Sequence, residues 1–298
     1  MTKISLSLTC LLITLFVSAQ PGYYTNDRDE KHLCGPVEIS QLTSDTLYSK
    51  WFDPSYSDFA LAESQPGWKE SLKDLSVDIY FGSWCGDSKN YVPKFIHLWD
   101  SLGLDRDQLN LIGLYDGKEN YKQGPNGEEK GLDIHRVPTF IFKEDGEEIA
   151  RIVEFPRTSL ERDLAQIALG YPSAPSYRAA TYIQDLLNEK STKEVYEDPN
   201  HYYLEAYELL SKSSELNTLG YVYLRSDRVS EALLCFHFNT YYFPHEPRVY
   251  SSYAEGLLIQ GDTTKAITNY KKVLDIDPEH KKALEQLALL EEEPVEGE

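Results

Sequence analysis

From Ser213 onward the chain repeats itself. A shift of 34 residues lays Leu216 on Tyr250, Leu219 on Tyr253, Gly220 on Ala254, Ala232 on Ala266, Phe236 on Tyr270 and Pro244 on Pro278. Self-similarity at such a period is the mark of a two-helix unit that cannot bury its apolar face alone and stacks on copies of itself. Its physical needs are the residue types that match: small residues where the helices approach, an aromatic to fill the gap between them, and a proline to end the second helix. The units are residues 213–246 and 247–280, with Gly261-Asp262 as the turn inside the second. Ala283–Glu292 reads as a capping helix whose Leu284, Leu287 and Leu290 share one apolar face. Two units are fewer than the roughly three that bury a continuous core. Helices between Tyr177 and Ser211 must therefore pack on the first unit, or the array must lean on the half that precedes it.

That preceding half has a different pattern. VDIYF (Val77–Phe81) and LNLIGLYD (Leu109–Asp116) read as strands, with helical apolar spacing over Asp87–Leu102 between them. After a Gly- and Lys-rich loop (Gly117–Gly131), TFIFKEDGEEIARIVEF carries Asp145-Gly146 between two strand-like halves, which is a hairpin signal, and an amphipathic helix follows at Ser159–Leu169. The order βαβ, hairpin, α predicts a small sheet covered by helices on both faces. YPSAP (Tyr171–Pro175) breaks the pattern, and no strand signal follows it.

The first residues set Lys3 before an apolar run, Leu6–Val17, and then Val17-Ser18-Ala19 as a small-residue cleavage site. The run is too short for a membrane span, which needs about 20 apolar residues. The expectation is export to a periplasmic or extracellular space after cleavage near Ala19. The division is thus 1–19 leader, 20–66 N-terminal extension, 67–170 α/β domain, 171–212 helical connector and 213–298 repeats with cap. In the extension only Val37–Tyr48 has helix-like spacing, through Ile39, Leu42 and Leu47. A net charge of −20 excludes nucleic acid as a natural partner. Four cysteines in 298 residues do not make a disulfide scaffold.

The informative motif is FGSWCGDSKNYVPKF (Phe81–Phe95), a strand ending at Gly82 with Trp84-Cys85 at the mouth of a helix. Free N–H groups and the positive dipole end at a helix start favour a thiolate, so a cysteine there is expected to be more acidic than a free thiol at about 8.5. Trp84 before Cys85, Lys89 four residues later and Pro93 eight later resemble the thioredoxin superfamily. IHRVPTFIFKEDGE (Ile134–Glu147) independently resembles that family's stretch around its cis-proline. The likeness runs from about Trp68 to Leu169, and the 34-residue units resemble the tetratricopeptide repeat. The fold class implied is an α/β thioredoxin-like domain followed by an all-α tetratricopeptide-like repeat domain. The resemblance also implies a cis Val137–Pro138 bond facing Cys85, with Val137's backbone able to pair with an extended substrate chain.

Two residues depart from that pattern. Ser88 stands where a dithiol enzyme has its second cysteine, and its hydroxyl can hold a thiolate but cannot resolve a mixed disulfide. Ile79 stands where the family has a buried acid; Asp78 is one residue off and faces the other way. Cys34, in HLCGP where Gly35-Pro36 signals a turn, is the possible resolving thiol, and an unpaired Cys34 is an equal alternative. Cys235 sits on an apolar helix face and reads as inert core. His97 and His135 fall near the motif in sequence, with a surface or satisfied role as the ordinary expectation. Asp87 would oppose a thiolate if it faced the sulfur, with Lys89 to offset it. No cofactor fingerprint and no metal-ligand spacing is present, His32 near Cys34 being the best remnant.

These readings converge on monothiol thiol-disulfide exchange at Cys85, with Ser88 assisting and Trp84, Val137 and Pro138 shaping the site. The partner is a protein or a small thiol or disulfide, and the repeats bind a peptide or protein that they position. The rival is a non-catalytic interaction module; a peroxide sensor through a Cys85 sulfenate is a third reading.

Overall fold

The computed structural model describes residues 22–60 and 67–292, with side chains to residue 290. The leader expected at 1–19 lies outside the described residues.

One six-stranded sheet organises the first half, in the order β1-β2-β4-β3-β5-β6. β3 (Leu75–Phe81) and β4 (Leu109–Gly113) pair in parallel through the crossover helix α3 (Gly86–Ser101). β5 (Thr139–Glu144) runs antiparallel to β3 and turns at Asp145-Gly146 into β6 (Glu147–Val153). Both turn residues have positive φ, 51° and 86°, the pair of values that a two-residue hairpin turn asks for.

The N-terminal extension contributes more than a helix. β1 (Gly22–Thr25) and β2 (Lys31–Val37) form a hairpin, and β2 adds antiparallel to β4. Gly35-Pro36, expected as a turn, instead continues β2, with Pro36 opposite Ile112. The β1 pairing ends at Cys34, so Pro36 lies beyond it and its missing N–H interrupts no ladder bond on that side. Helices α1 (Ile39–Ser44) and α2 (Thr46–Ser57) follow, the latter capped by the Asp45 carboxylate, which accepts the Leu47 N–H at 2.8 Å.

Helices cover one face of the sheet, not both. Val77, Ile79, Phe81, Leu111, Phe140 and Phe142 meet Phe95 and Trp99 of α3, Tyr48 and Phe52 of α2 and Leu164 of α4 (Leu160–Ala168) in one core. The opposite face, carrying Tyr80, Ile112 and Ile141, is closed by the chain between β4 and β5, which lays Leu114, Ile134 and Val137 on it. Those apolar residues are spread through a long polar loop, so no periodicity marks them in the sequence.

The second half is entirely helical. α5 (Arg178–Glu189), α6 (Thr192–Glu197) and α7 (Pro199–Tyr207) lead into α8 (Ser214–Arg225) and α9 (Val229–Tyr242), which span the first repeat unit. α10 (Pro247–Gln260) and α11 (Thr263–Ile276) span the second, and α12 (Lys281–Glu292) caps them. Gly220 shows why the period needs its small residue: a Cβ there would stand 2.5 Å from a Phe236 ring carbon, so only glycine lets α8 and α9 approach this closely. The cap packs through Ala283, Leu287 and Leu290, while Leu284, expected on the same face, is turned outward.

Both supports expected for a two-unit array are present. α5 packs on α8, where the fully buried Glu215 carboxylate accepts the Ala179 and Ala180 N–H groups at 2.8 and 3.1 Å, capping α5 from another helix. The array also leans on the β4–β5 loop. Asp133 takes Arg228 at 2.6 Å and the Tyr223 hydroxyl at 3.2 Å, its carbonyl accepts from Gln184 at 2.7 Å, and Arg136 donates to the Ser214 carbonyl at 2.8 Å. Among the described residues no helix is long and apolar enough to cross a membrane.

Candidate functional site

Cys85 is the N-cap residue of α3, in extended conformation at φ −86° and ψ 130°, with helical geometry beginning at Gly86. The cap is held on both sides: Cys85 N–H donates to the Gly82 carbonyl at 2.9 Å, and its own carbonyl takes the Lys89 N–H at 3.1 Å. Trp84 folds back over Gly82, where a Cβ would meet the indole at 2.5 Å, and its Nε1–H donates to the Leu114 carbonyl at 2.8 Å. The tryptophan thus closes the end of the sheet and leaves Cys85 half-buried beside it.

The sulfur faces the β4–β5 loop. Cys85 Sγ lies 3.3 Å from the Val137 carbonyl oxygen, to which the thiol donates. The Val137–Pro138 bond is cis. The Pro138 carbonyl is occupied by the Glu154 N–H at 2.7 Å, and Thr139 Oγ1 donates to the Arg136 carbonyl at 2.8 Å. Cys85, Trp84, Val137 and Pro138 are therefore brought together from two segments more than 50 residues apart. Ser88 belongs to the same corner: it is fully buried, and its hydroxyl oxygen accepts the Gly82 N–H at 3.1 Å. That bond ties the end of β3 to the first turn of α3.

Cys34 is a free thiol like Cys85 and Cys235. It is 3% exposed on β2, under Gly22 of β1, and burial raises its pKa although the Tyr115 hydroxyl beside it acts the other way. Cys235 is fully buried, and burial pushes its thiol far up. His97 stacks on Tyr56 at 4.4 Å and bonds the Tyr56 carbonyl, so it fastens α3 to α2. His135 is buried edge-on to Tyr177 at 5.8 Å and held down to about 3 by burial, hence neutral. His32 bonds Ser83 at 3.2 Å, and burial lowers its pKa too. No group of three metal-ligating side chains occurs among the described residues.

Charged residues that the sequence did not single out lie on the loop that faces the sulfur. Lys122 is wholly buried without a carboxylate bonded to it: its Nζ donates to the His135 carbonyl at 2.7 Å and the Tyr121 hydroxyl at 2.8 Å. Burial, aided by the nearby Arg136 guanidinium, brings this lysine down to about 7, against the opposing pull of Glu154 and Cys85. Arg136 stands 3.6 Å from Glu154, whose carboxyl burial raises. Burial also raises the Tyr121 hydroxyl, with Cys85 acting in the same direction and Arg136 and Arg248 against it. Charge on the Cys85 sulfur thus favours the protonated form of a buried lysine held on the same loop as Val137. The one sequence signal for this group is the position of Arg136, two residues before Pro138; Lys122 is a lysine among several in a Gly- and Lys-rich loop.

A mixed sheet with a helix-capping cysteine opposite a proline, followed by an all-helical half, makes this a thioredoxin-like α/β domain joined to a helical one. No family model matches the chain. Over 118 residues it is 25% identical to a protein of Picea mariana described as Thioredoxin H-type, covering 35% of this chain and 81% of that one.

Proposed function

We propose that this is an exported thioredoxin-like protein that performs monothiol thiol-disulfide exchange at Cys85, on a protein or small-molecule partner positioned by tetratricopeptide-like repeats. The observation that carries the reading is the half-exposed Cys85 at the cap of α3, with its sulfur 3.3 Å from the carbonyl before Pro138.

The step is an exchange with no net oxidation. The Cys85 thiol loses its proton to solvent or to a nearby base; the thiolate attacks one sulfur of a partner disulfide, a new S–S bond forms to Cys85 and the other partner sulfur leaves as a thiolate. With Ser88 in place of a second thiol, a second external thiolate must attack the Cys85 mixed disulfide to restore the free cysteine. The charged form of Lys122 and an anionic Cys85 sulfur favour one another, which supports a thiolate at this site. Val137's carbonyl already lies on the thiol, so a partner chain held along this edge would run directly beside Cys85.

Intact mass and thiol labelling of the purified protein test this together. The expected outcome is an N-terminus at Gln20, one rapidly alkylated cysteine identified as Cys85, and a glutathione adduct at Cys85 on incubation with glutathione disulfide, lost in Cys85→Ser. A Cys85 no more reactive than a free cysteine at neutral pH would overturn the exchange chemistry.

A second reading, a non-catalytic interaction module, has its own support: position 88 carries no second thiol, and the helical half is docked on the very loop that carries Val137 and Pro138. A Cys85→Ser chain that retains the same partners as the wild type would favour it.

A further inference from the structure

Where the β4–β5 loop meets the inner side of α8 and α10, the two halves enclose a cleft of about 330 Å³, at the small end of the roughly 300–1,000 Å³ typical of ligand sites. Its charge runs against that of the molecule. The chain carries a net charge of −20, yet Lys118, Arg225, Arg248 and Lys282 all line this cleft against a single carboxylate, Glu255. Glu255 is already taken, by Arg225 at 2.9 Å, Lys282 at 2.5 Å and the Tyr221 hydroxyl at 3.0 Å. Lys118 and Arg248 are exposed and form no ion pair among the described residues. Two positive charges thus stand at the mouth without a counter-charge, over a floor whose own charges are fixed.

The floor adds a second, independent observation. Asn217 of α8 lines the cleft at 3% exposure, and its Oδ1 has no hydrogen-bond partner, an arrangement that costs about 1–3 kcal/mol unless a donor arrives. A side-chain amide complements a peptide unit, since each has one carbonyl acceptor and N–H donors. A simple phosphate or sulfate is chiefly an acceptor and would leave Oδ1 unmet, and a nucleic acid would meet the field of the whole acidic molecule.

We propose that this cleft binds an acidic segment of a partner polypeptide, its carboxylates on Lys118 and Arg248 and its backbone against the Asn217 amide. Tyr121 lines the cleft and also takes the Lys122 ammonium, which donates to the His135 carbonyl, so the cleft wall is tied to the segment that carries Val137. Binding itself does not depend on the chemistry of Cys85.

The test uses the chain with Cys85→Ser, which removes exchange from the readout, and a fluorescein-labelled peptide of alternating Glu and Ala, followed by anisotropy at low ionic strength. Saturable binding is expected, with the Gln-for-Glu peptide weaker by about tenfold or more and the Lys118→Glu/Arg248→Glu double variant weaker by a similar factor, since two exposed ion pairs become repulsions. Lys50→Glu/Lys193→Glu, which changes net charge equally at exposed sites elsewhere, is expected to stay within about twofold. All four positions are exposed, so folding is not at stake. Three results would each overturn the proposal: equal binding of the Gln peptide, equal weakening by the control reversals, or displacement of the peptide by inorganic phosphate where chloride of matched ionic strength has no effect. Loss of Cys85 reactivity in the wild type, by contrast, would leave this binding untouched.

Discussion

The two faces of the sheet are closed by different means, and the site lies on the less regular one. Beneath α2, α3 and α4, ring packs on ring, as Phe95 does on Phe140 at 4.6 Å and on Trp99 at 5.7 Å. On the other face Ile134 and Val137 make only a thin apolar layer, and beyond it lie Lys122, His135 and Arg136. The first arrangement gains its free energy chiefly from apolar burial. The second spends some of that gain to hold polar groups out of water near a thiol, a cost that a purely structural face has no reason to carry. The helical half then completes this second face from outside, through Asp133 with Arg228 and through Arg136 with Ser214.

Three experiments press on this contrast. The largest effect is expected on the helix-covered face: Phe95→Ala should cost about 3–5 kcal/mol in urea unfolding, because it removes a fully buried ring. The native-state alkylation rate of Cys85 should stay unchanged in conditions where this variant is folded. A change in that rate would mean that the two faces are not independent.

On the loop-covered face the signature is a pH dependence. The folded state holds Lys122 near 7, down from an ordinary 10.5, so between these values the unfolded chain binds more protons and stability rises with pH. Lys122→Met lacks that slope. Unfolding free energies of wild type minus variant should therefore be flat below about pH 7 and climb toward about pH 10. A flat difference throughout would mean that the ammonium is solvated and that this face has no buried cation.

The smallest effect separates structure from chemistry within the motif itself. Ser88→Ala leaves the buried Gly82 N–H without its acceptor and should cost about 1–2 kcal/mol. Because the hydroxyl oxygen accepts from Gly82 while its O–H can still donate, the alkylation rate of Cys85 separates the two roles: a change under about twofold leaves Ser88 structural, and a tenfold fall assigns it to the sulfur.

What could be read in advance follows the same division. The repeat units, the hairpin turn at Asp145-Gly146, the strand ending at Gly82 and the cysteine at a helix start are short-range patterns, in which the residues that make an element also reveal it. The hairpin β1–β2 was hidden because Gly35-Pro36 carries the chemistry of a turn, and nothing nearby shows that β4 is waiting for a partner strand. The expectation of helices on both faces failed because the closing residues of the second face, Leu114, Ile134 and Val137, have no spacing rule.

The sequence by itself determined most of the elements from β3 onward, the two-part division of the chain and the thiol at the tip of α3, since periodicity, turn residues and capping act over a few residues. Only the tertiary structure decided what surrounds that thiol. Lys122, Arg136, Glu154 and the cleft at Asn217 come from segments far apart in the chain, and their charge states and unmet hydrogen bonds arise from burial, which exists only once those segments have met.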